Sequence, residues 1–160
     1  MTRKNIIFEV LFLNHFLTNE KDNLVLRSDT MKFTIEDEKI SGDLGYGKIS
    51  ISPNETNGYR PYELFVSSLV GCSGTLLRKI LTKKRFPFQK IDMEVVSIRN
   101  PNHSNRIEQL SFKAYVHSNE ALRTHQAEKI AQLVVNNCGM IQSVIQSIDI
   151  VFTVRFGDYD

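Results

Sequence analysis

The chain has 160 residues, of which 41% are hydrophobic, so it is long enough to bury the core of one domain. Its 20 Lys and Arg against 18 Asp and Glu give a net charge of +2, and the basic residues are scattered apart from Lys83, Lys84 and Arg85, which argues against nucleic acid as a partner. The two cysteines, without a CxxC motif or paired Cys and His spacing, argue against a disulfide framework and a zinc site, and nothing else indicates a metal or a cofactor.

Residues 1–30 carry two short apolar runs, at residues 6–8 and 10–13. Polar residues interrupt them and no small-residue cleavage pattern follows, so a secretory signal is not indicated, and the segment is too short to span a bilayer. We therefore expect a cytoplasmic protein without a membrane partner. The regular pattern opens at Met31, so residues 31–160 are predicted to form the domain. Residues 1–30 are predicted to be an N-terminal extension or a helix docked on that domain, and to be dispensable.

Alternating apolar and polar residues predict strands at residues 31–35 and 46–52, paired as a hairpin. After a turn-rich loop at residues 53–58, Pro61 stands where a helix begins, because its missing N–H costs nothing in the first turn. A long helix is predicted over residues 61–84. It ends before Phe86-Pro87, because proline disfavours helix at the residue before it.

The second half of the chain begins with predicted strands at residues 91–98 and 110–116. Ser118 or Asn119 is expected to cap a helix whose apolar residues recur with a period near 3.6, until Asn136-Asn137 interrupts it. A short helix over residues 138–147 and an alternating strand over residues 148–156 follow. This order of strands, helix, strands, helices and strand predicts an α+β fold.

The middle of the long predicted helix is unusually rich in small residues. They are Ser67, Ser68, Gly71, Cys72, Ser73, Gly74 and Thr75. An interior glycine costs a helix about 1 kcal/mol relative to alanine, so this composition indicates that another backbone lies close by. Cys72 has small residues one turn above and below it, which leaves room beside its sulfur. A cysteine that merely fills a tight helix crossing would give the same pattern.

Cys138 stands at the predicted start of the short helix. Asn137 is a good N-cap and would place Cys138 in the first turn, where unpaired N–H groups and the helix dipole lower a thiol pKa. A cysteine also occurs in the first turn of a helix by chance, without any chemical role. Two thiols that the fold brings together can cycle through a disulfide, but the spacing of Cys72 and Cys138 does not establish that they meet.

Two segments carry a family resemblance. The first reads RPYELF at residues 60–65 and continues as VSSLVGCSG at residues 66–74; the second is Asn137-Cys138 before a short helix and the terminal strand. In this order they resemble the OsmC/Ohr family, the osmotically inducible protein C and organic hydroperoxide resistance proteins. The resemblance covers roughly residues 31–156 in element order.

The resemblance implies an OsmC-like intertwined homodimer with antiparallel sheets and a long central helix that bears the first cysteine. It also implies two sites, each built from both chains, and thiol-dependent reduction of organic hydroperoxides. Cys72 would then be the peroxidatic cysteine, oxidised to a sulfenic acid, and Cys138 the cysteine that resolves it as a disulfide. The implied partners are a second copy of the chain, an organic hydroperoxide or small apolar ligand, and a thiol reductant of unknown identity.

One position departs from the family's peroxidase pattern. The family peroxidases have a glutamate directly after the helix-opening proline, where it helps an N-terminal arginine hold the thiolate. Here that position is Tyr62, and Glu63 comes one residue later, rotated by about 100° around the helix. Glu63 either supports the site, with Arg60 or Arg27 as the arginine, or only stabilises the helix N-terminus.

The sequence therefore leaves three functions open: a peroxidase of a divergent OsmC-like branch, a non-enzymatic redox-sensing or small apolar ligand-binding dimer, which Tyr62 favours, and a structural module with unreactive thiols. We interpret His103, His117 and His125 as surface residues rather than general bases. Ser143 lacks the glycines of a nucleophile elbow, which argues against a serine hydrolase.

Overall fold

The computed structural model describes residues 30–157. Its strands and helices follow the order predicted for an α+β fold, and this fold class is confirmed. They are β1 Phe33–Ile35, β2 Ile40–Asp43, β3 Lys48–Ile51, α1 Pro61–Lys83, β4 Lys90–Asn100, β5 Arg106–His117, α2 Thr124–Asn137, α3 Gly139–Gln142 and β6 Asp149–Phe156. Arg27 and the expectations for the N-terminal extension lie outside the described residues.

The first sheet is antiparallel in the order β1-β2-β3. The predicted hairpin between residues 31–35 and 46–52 is wrong, because β2 lies between those two strands and pairs with both. Gly42 in β2 allows the pairing, since a Cβ there would lie 2.6 Å from the Phe33 ring. One face of this sheet is apolar, and the described chain leaves much of it uncovered: Ile35 is 80% exposed.

The second sheet has the order β4-β5-β6. Its central strand, β5, carries four fully buried residues at alternating positions, as its sequence predicts: Leu110, Phe112, Ala114 and Val116. β4 and β5 are antiparallel, but β5 and β6 are parallel. The expectation of purely antiparallel sheets is therefore wrong, because the crossover through α2 and α3 returns the chain in the direction of β5.

Helix α1 lies against β4, α2 and α3. Its inward face carries Leu69, Leu77 and Leu81, which are fully buried. Burying each of these side chains contributes about 1.5–3 kcal/mol to the stability of the fold. α1 is long and apolar enough to span a membrane by length and composition alone. We interpret it as a core helix, because its apolar side packs within the domain. It ends where Arg85 takes a left-handed φ of 54°.

The connections around α2 differ from those predicted. Ser118 does not cap the helix, because its hydroxyl donates to the carbonyl of Pro87 at 2.6 Å and accepts from the N–H of Glu120 at 3.1 Å. The helix begins six residues later, at Thr124. The short helix predicted over residues 138–147 is confined to Gly139–Gln142, and Cys138 lies at the junction between α2 and α3.

Candidate functional site

The fold brings the two cysteines together, although 66 positions separate them in the sequence. Cys72 lies in the middle of α1, and the packing of α3 against α1 places Cys138 beside it. The Cys138 thiol donates a hydrogen bond to Cys72 Sγ, with 3.1 Å between the sulfurs. Both cysteines are free; Cys138 is only 1% exposed, whereas Cys72 is partly exposed. Together they form a reduced dithiol with one accessible member.

The surroundings of the two sulfurs favour charge on Cys72. The backbone N–H of Met140 and the Cys138 thiol lower the Cys72 pKa, aided by the N–H of Gly139 and the charge of Lys79, while burial opposes them. Burial raises the pKa of Cys138, and the hydrogen bond to Cys72 adds to this effect. Cys72 is therefore the better nucleophile of the pair.

These shifts reverse one sequence-based expectation. Cys138 was expected in the first turn of a helix, with a lowered pKa, but it precedes α3 as its N-cap, and its own N–H donates to the carbonyl of Val134 at 2.9 Å. The first N–H groups of α3 lower the pKa of Cys72. The N–H groups of Ile141 and Met140 also act to lower the Cys138 pKa, but burial and the Cys72 sulfur outweigh them. Sequence reasoning missed Gly139, Met140 and Lys79, because backbone donors and a lysine from the next turns of α1 have no motif.

The small residues of α1 have two different surroundings. Ser73 is fully buried, and its hydroxyl donates to the carbonyl of Leu69 at 2.7 Å. Ser67, Ser68, Gly71 and Thr75 are exposed on the outer face, and a Cβ on Gly71 would meet nothing within 4 Å among the described residues. The close backbone expected beside this face is therefore not supplied by the described part of the chain.

Glu63 and Arg60 pair with each other at the start of α1. Glu63 accepts from Arg60 Nε at 2.9 Å and from the Arg60 backbone N–H at 3.1 Å, and this pairing lowers the Glu63 pKa. Neither residue is among the groups that shift the Cys72 pKa. Tyr62, at the family's glutamate position, lies beneath the Arg99 guanidinium, 5.3 Å from the ring centroid. Sequence reasoning missed Arg99, which β4 presents next to a bulge.

We predict that Glu63→Gln leaves the alkylation rate of Cys72 within about twofold of the parent, because an exposed ion pair nine positions from the cysteine is screened by solvent. Pseudo-first-order labelling by iodoacetamide measures this rate, and Glu55→Gln is a control outside the helix. A large loss of reactivity in Glu63→Gln alone would place Glu63 in the thiol site.

The interpretation of all three histidines as surface residues is wrong for His117. The residue lies at the end of β5 and is 9% exposed, and its Nε2 is 2.7 Å from Asp92 Oδ2. His103 and His125 are exposed. Ser143 donates from its hydroxyl to the carbonyl of Gly139 at 2.8 Å. Over residues 30–157, no group of three His, Cys, Asp or Glu side chains converges as a metal site would require.

Fold and site together define an α+β dithiol protein whose core helix carries the more acidic cysteine. A family model described as OsmC-like protein matches residues 53–153, and the chain belongs to this family. No curated protein matches it.

Solved structures share the fold at low identity. A hypothetical protein from Aquifex aeolicus VF5 is 18% identical, with a TM-score of 0.72 over 84% of this chain and 100% of that one. An OsmC-like protein from Mycoplasma pneumoniae is 15% identical, with a TM-score of 0.67 over 82% and 100%. The organic hydroperoxide resistance protein OhrB of Bacillus subtilis is 16% identical, with a TM-score of 0.55 over 79% and 98%.

Proposed function

We propose that this protein reduces organic hydroperoxides through Cys72 and Cys138. The observation that carries the proposal is the pair of sulfurs 3.1 Å apart with pKa values shifted in opposite directions. A thiolate and a neutral thiol in contact are the two reactants that a two-step thiol peroxidase requires. A structural neighbour described as an organic hydroperoxide resistance protein supports the proposed substrate class.

In the first step the Cys72 thiolate attacks the outer oxygen of the hydroperoxide. An S–O bond forms and the O–O bond breaks, leaving Cys72 as a sulfenic acid and an alkoxide that takes a proton from solvent to become the alcohol. In the second step the Cys138 sulfur attacks the Cys72 sulfur, the disulfide forms and water leaves. An external dithiol then returns two electrons and two protons, and is itself oxidised to a disulfide.

The resolving step needs little rearrangement. A disulfide has an S–S length of about 2.05 Å, so the sulfurs at 3.1 Å must approach by roughly 1 Å. Because Cys138 is buried and its pKa is raised, it is protected from direct oxidation until Cys72 has reacted. This division of exposure suits Cys72 as the attacking thiol and Cys138 as the resolving thiol.

We further infer that the protein acts in the cytoplasm as a homodimer, with sites completed by the second copy. Two surfaces that residues 30–157 leave uncovered support the dimer: the apolar face of the first sheet and the outer face of α1, where Gly71 offers no side chain. A second α1 would fit the small face closely, and a dimer would shield the Cys72 side of the site from water. Equilibrium sedimentation tests this assembly.

A second candidate function, redox sensing or binding of a small apolar ligand without useful turnover, is favoured by Tyr62. This side chain is held by Arg99 instead of offering a carboxylate to position an arginine at the thiolate. In that case both thiols would still form a disulfide, but slowly.

Consumption of cumene hydroperoxide with dithiothreitol as reductant separates these functions. Continuous consumption that exceeds the same concentration of free cysteine supports the peroxidase. A disulfide that forms with peroxide but does not turn over supports the sensor. Thiols that react no faster than free cysteine would reject the peroxidase and the redox sensor, and would leave a binding or structural role.

We predict that deleting residues 1–30 leaves the dimer and the thiol chemistry intact, because the regular strand pattern begins at Met31. Size-exclusion chromatography and hydroperoxide consumption by the shortened chain measure the two properties. If the shortened chain elutes as a monomer or fails to fold, the early apolar runs belong to the core.

A further inference from the structure

A groove of about 420 Å³ separates the C-terminal turn of α1 from the first turns of α2. Its floor is apolar and fixed: Ile130 is 2% exposed, and the Phe86 ring packs edge-on against Phe156 with 4.9 Å between the centroids. Leu122, half-buried in the loop before α2, completes the floor. Volumes of this size are typical of small-molecule sites, and a floor held by core packing is formed before any ligand arrives.

The rim of the groove is cationic. It is lined by the basic residues Lys84, His125 and Lys129, and Gln126 is the remaining polar side chain. The described lining residues include no Asp or Glu. Within residues 30–157 none of the three basic side chains forms an ion pair. Glu128, on the same helix, lines a different cavity against β6.

Helix stability accounts for only part of this charge. Lys84 follows the last turn of α1, where a positive side chain complements the helix dipole. His125 lies in the first turn of α2, which contains no acidic residue, and Lys129 lies one turn further on. Lys129 lies beyond the turn in which the helix dipole acts, and it has no ion pair within residues 30–157. Helix stability therefore does not explain Lys129, and its pairing with Lys84 across an apolar floor favours an anion.

We propose that this groove binds a small anion with an apolar tail, of the chemical class of a fatty carboxylate. The carboxylate lies between Lys84 and Lys129, and the tail lies on Phe86 and Leu122, with Ile130 directly beneath them. The site is separate from the dithiol, because twelve helical positions between Cys72 and Lys84 span about 18 Å. It does not rest on the proposed peroxidase reaction.

Binding of dodecanoate to the full chain tests the proposal, with dodecyltrimethylammonium as a probe of the same tail and opposite charge. Calorimetry gives the dissociation constants, and methyl-labelled NMR spectra locate the ligand through Ile130. We expect saturable binding of dodecanoate at one site per chain, shifted Ile130 signals, and no comparable binding of the cationic probe. Equal binding of both probes, or ligand-induced shifts at Met140 without shifts at Ile130, would overturn the proposal.

The double variant Lys84→Gln/Lys129→Gln should weaken dodecanoate binding by about fivefold, since each partly exposed cation contributes modestly. Lys83→Gln is the matched control, because Lys83 is exposed in the same turn of α1 but does not line the groove. Circular dichroism verifies that both variants are folded. Equal weakening in the control and the double variant would show a general charge effect and reject the site. Binding only to vesicles of phosphatidylglycerol, without binding to monomeric dodecanoate, would also reject it.

Discussion

Replacing Cys72 with serine should abolish the consumption of cumene hydroperoxide, whereas Cys138→Ser should consume about one equivalent and then stop. The difference follows from the site: the Met140 N–H and the Cys138 thiol stabilise charge on Cys72, while Cys138 is buried and its pKa is raised. Without Cys72 the nucleophile is lost. Without Cys138 the first step proceeds, but the sulfenic acid has no resolving thiol.

Mass spectrometry distinguishes the two failures. The parent protein should gain an intrachain disulfide on addition of one equivalent of peroxide, and Cys138→Ser should gain a Cys72 sulfenic acid that dimedone traps. A Cys72→Ser protein in which Cys138 oxidises as fast as Cys72 does in the parent would reverse the assignment. Cys138→Ala, which removes the hydrogen-bond donor as well, should react more slowly in the first step than Cys138→Ser, because serine retains a donor to the thiolate.

The large elements of this fold follow from local sequence. Pro61 and the helix-breaking Phe86-Pro87 bracket α1, which spans Pro61–Lys83, and the alternating residues of β5 form its buried face. Strand β2 was not predicted from the sequence, because its four residues include Gly42 and only one large apolar side chain. The glycine leaves room for the Phe33 ring on the neighbouring strand, and such a cross-strand contact cannot be inferred from the strand's own sequence.

The sequence indicated which two cysteines form the site, but it did not indicate which groups shift their pKa values. Cys72 and Cys138 are individually rare residues in recognisable segments, but their contact depends on how α3 docks against α1. Sequence reasoning assigned the effect of the helix terminus to Cys138 alone, but the first N–H groups of α3 point back past the cap into space that a distant residue, Cys72, also reaches. At Cys138 itself, burial outweighs them. The pattern of side chains in a sequence does not show where backbone N–H groups meet in the folded protein.

In the parent protein, iodoacetamide should modify Cys72 well before Cys138 near pH 7. The Cys72 pKa is lowered from its ordinary thiol value by the Met140 N–H and the Cys138 thiol, so its reactive thiolate persists at lower pH than that of a free cysteine and is lost as the pH falls through the lowered pKa. The raised pKa of Cys138 keeps it neutral there, and its burial blocks the reagent. Peptide mapping after partial labelling measures the order.

Gly139→Pro should move the midpoint of Cys72 alkylation to higher pH and slow the reaction severalfold near pH 7, because proline removes one N–H donor to the sulfur. The backbone accepts proline here, because Gly139 is the first residue of α3 and Cys138 before it is already extended, with φ −85° and ψ 107°. The proline Cδ replaces the amide hydrogen that faces the Cys72 sulfur, so the sulfur must shift to make room for it. Gly139→Ala is the matched control, since it keeps the N–H and a Cβ there meets no described atom within 4 Å.

The pH profile separates this effect from a structural disturbance. Above the ordinary thiol pKa, Cys72 is ionised in the parent and in both variants, so the three alkylation rates should converge there; a distorted site would instead be slow at every pH. Equal midpoints in Gly139→Pro and Gly139→Ala would contradict the role of this backbone donor. The thiolate would then depend on the Met140 N–H, the Cys138 thiol and the charge of Lys79, and Cys138→Ala should produce the pKa shift that Gly139→Pro lacks.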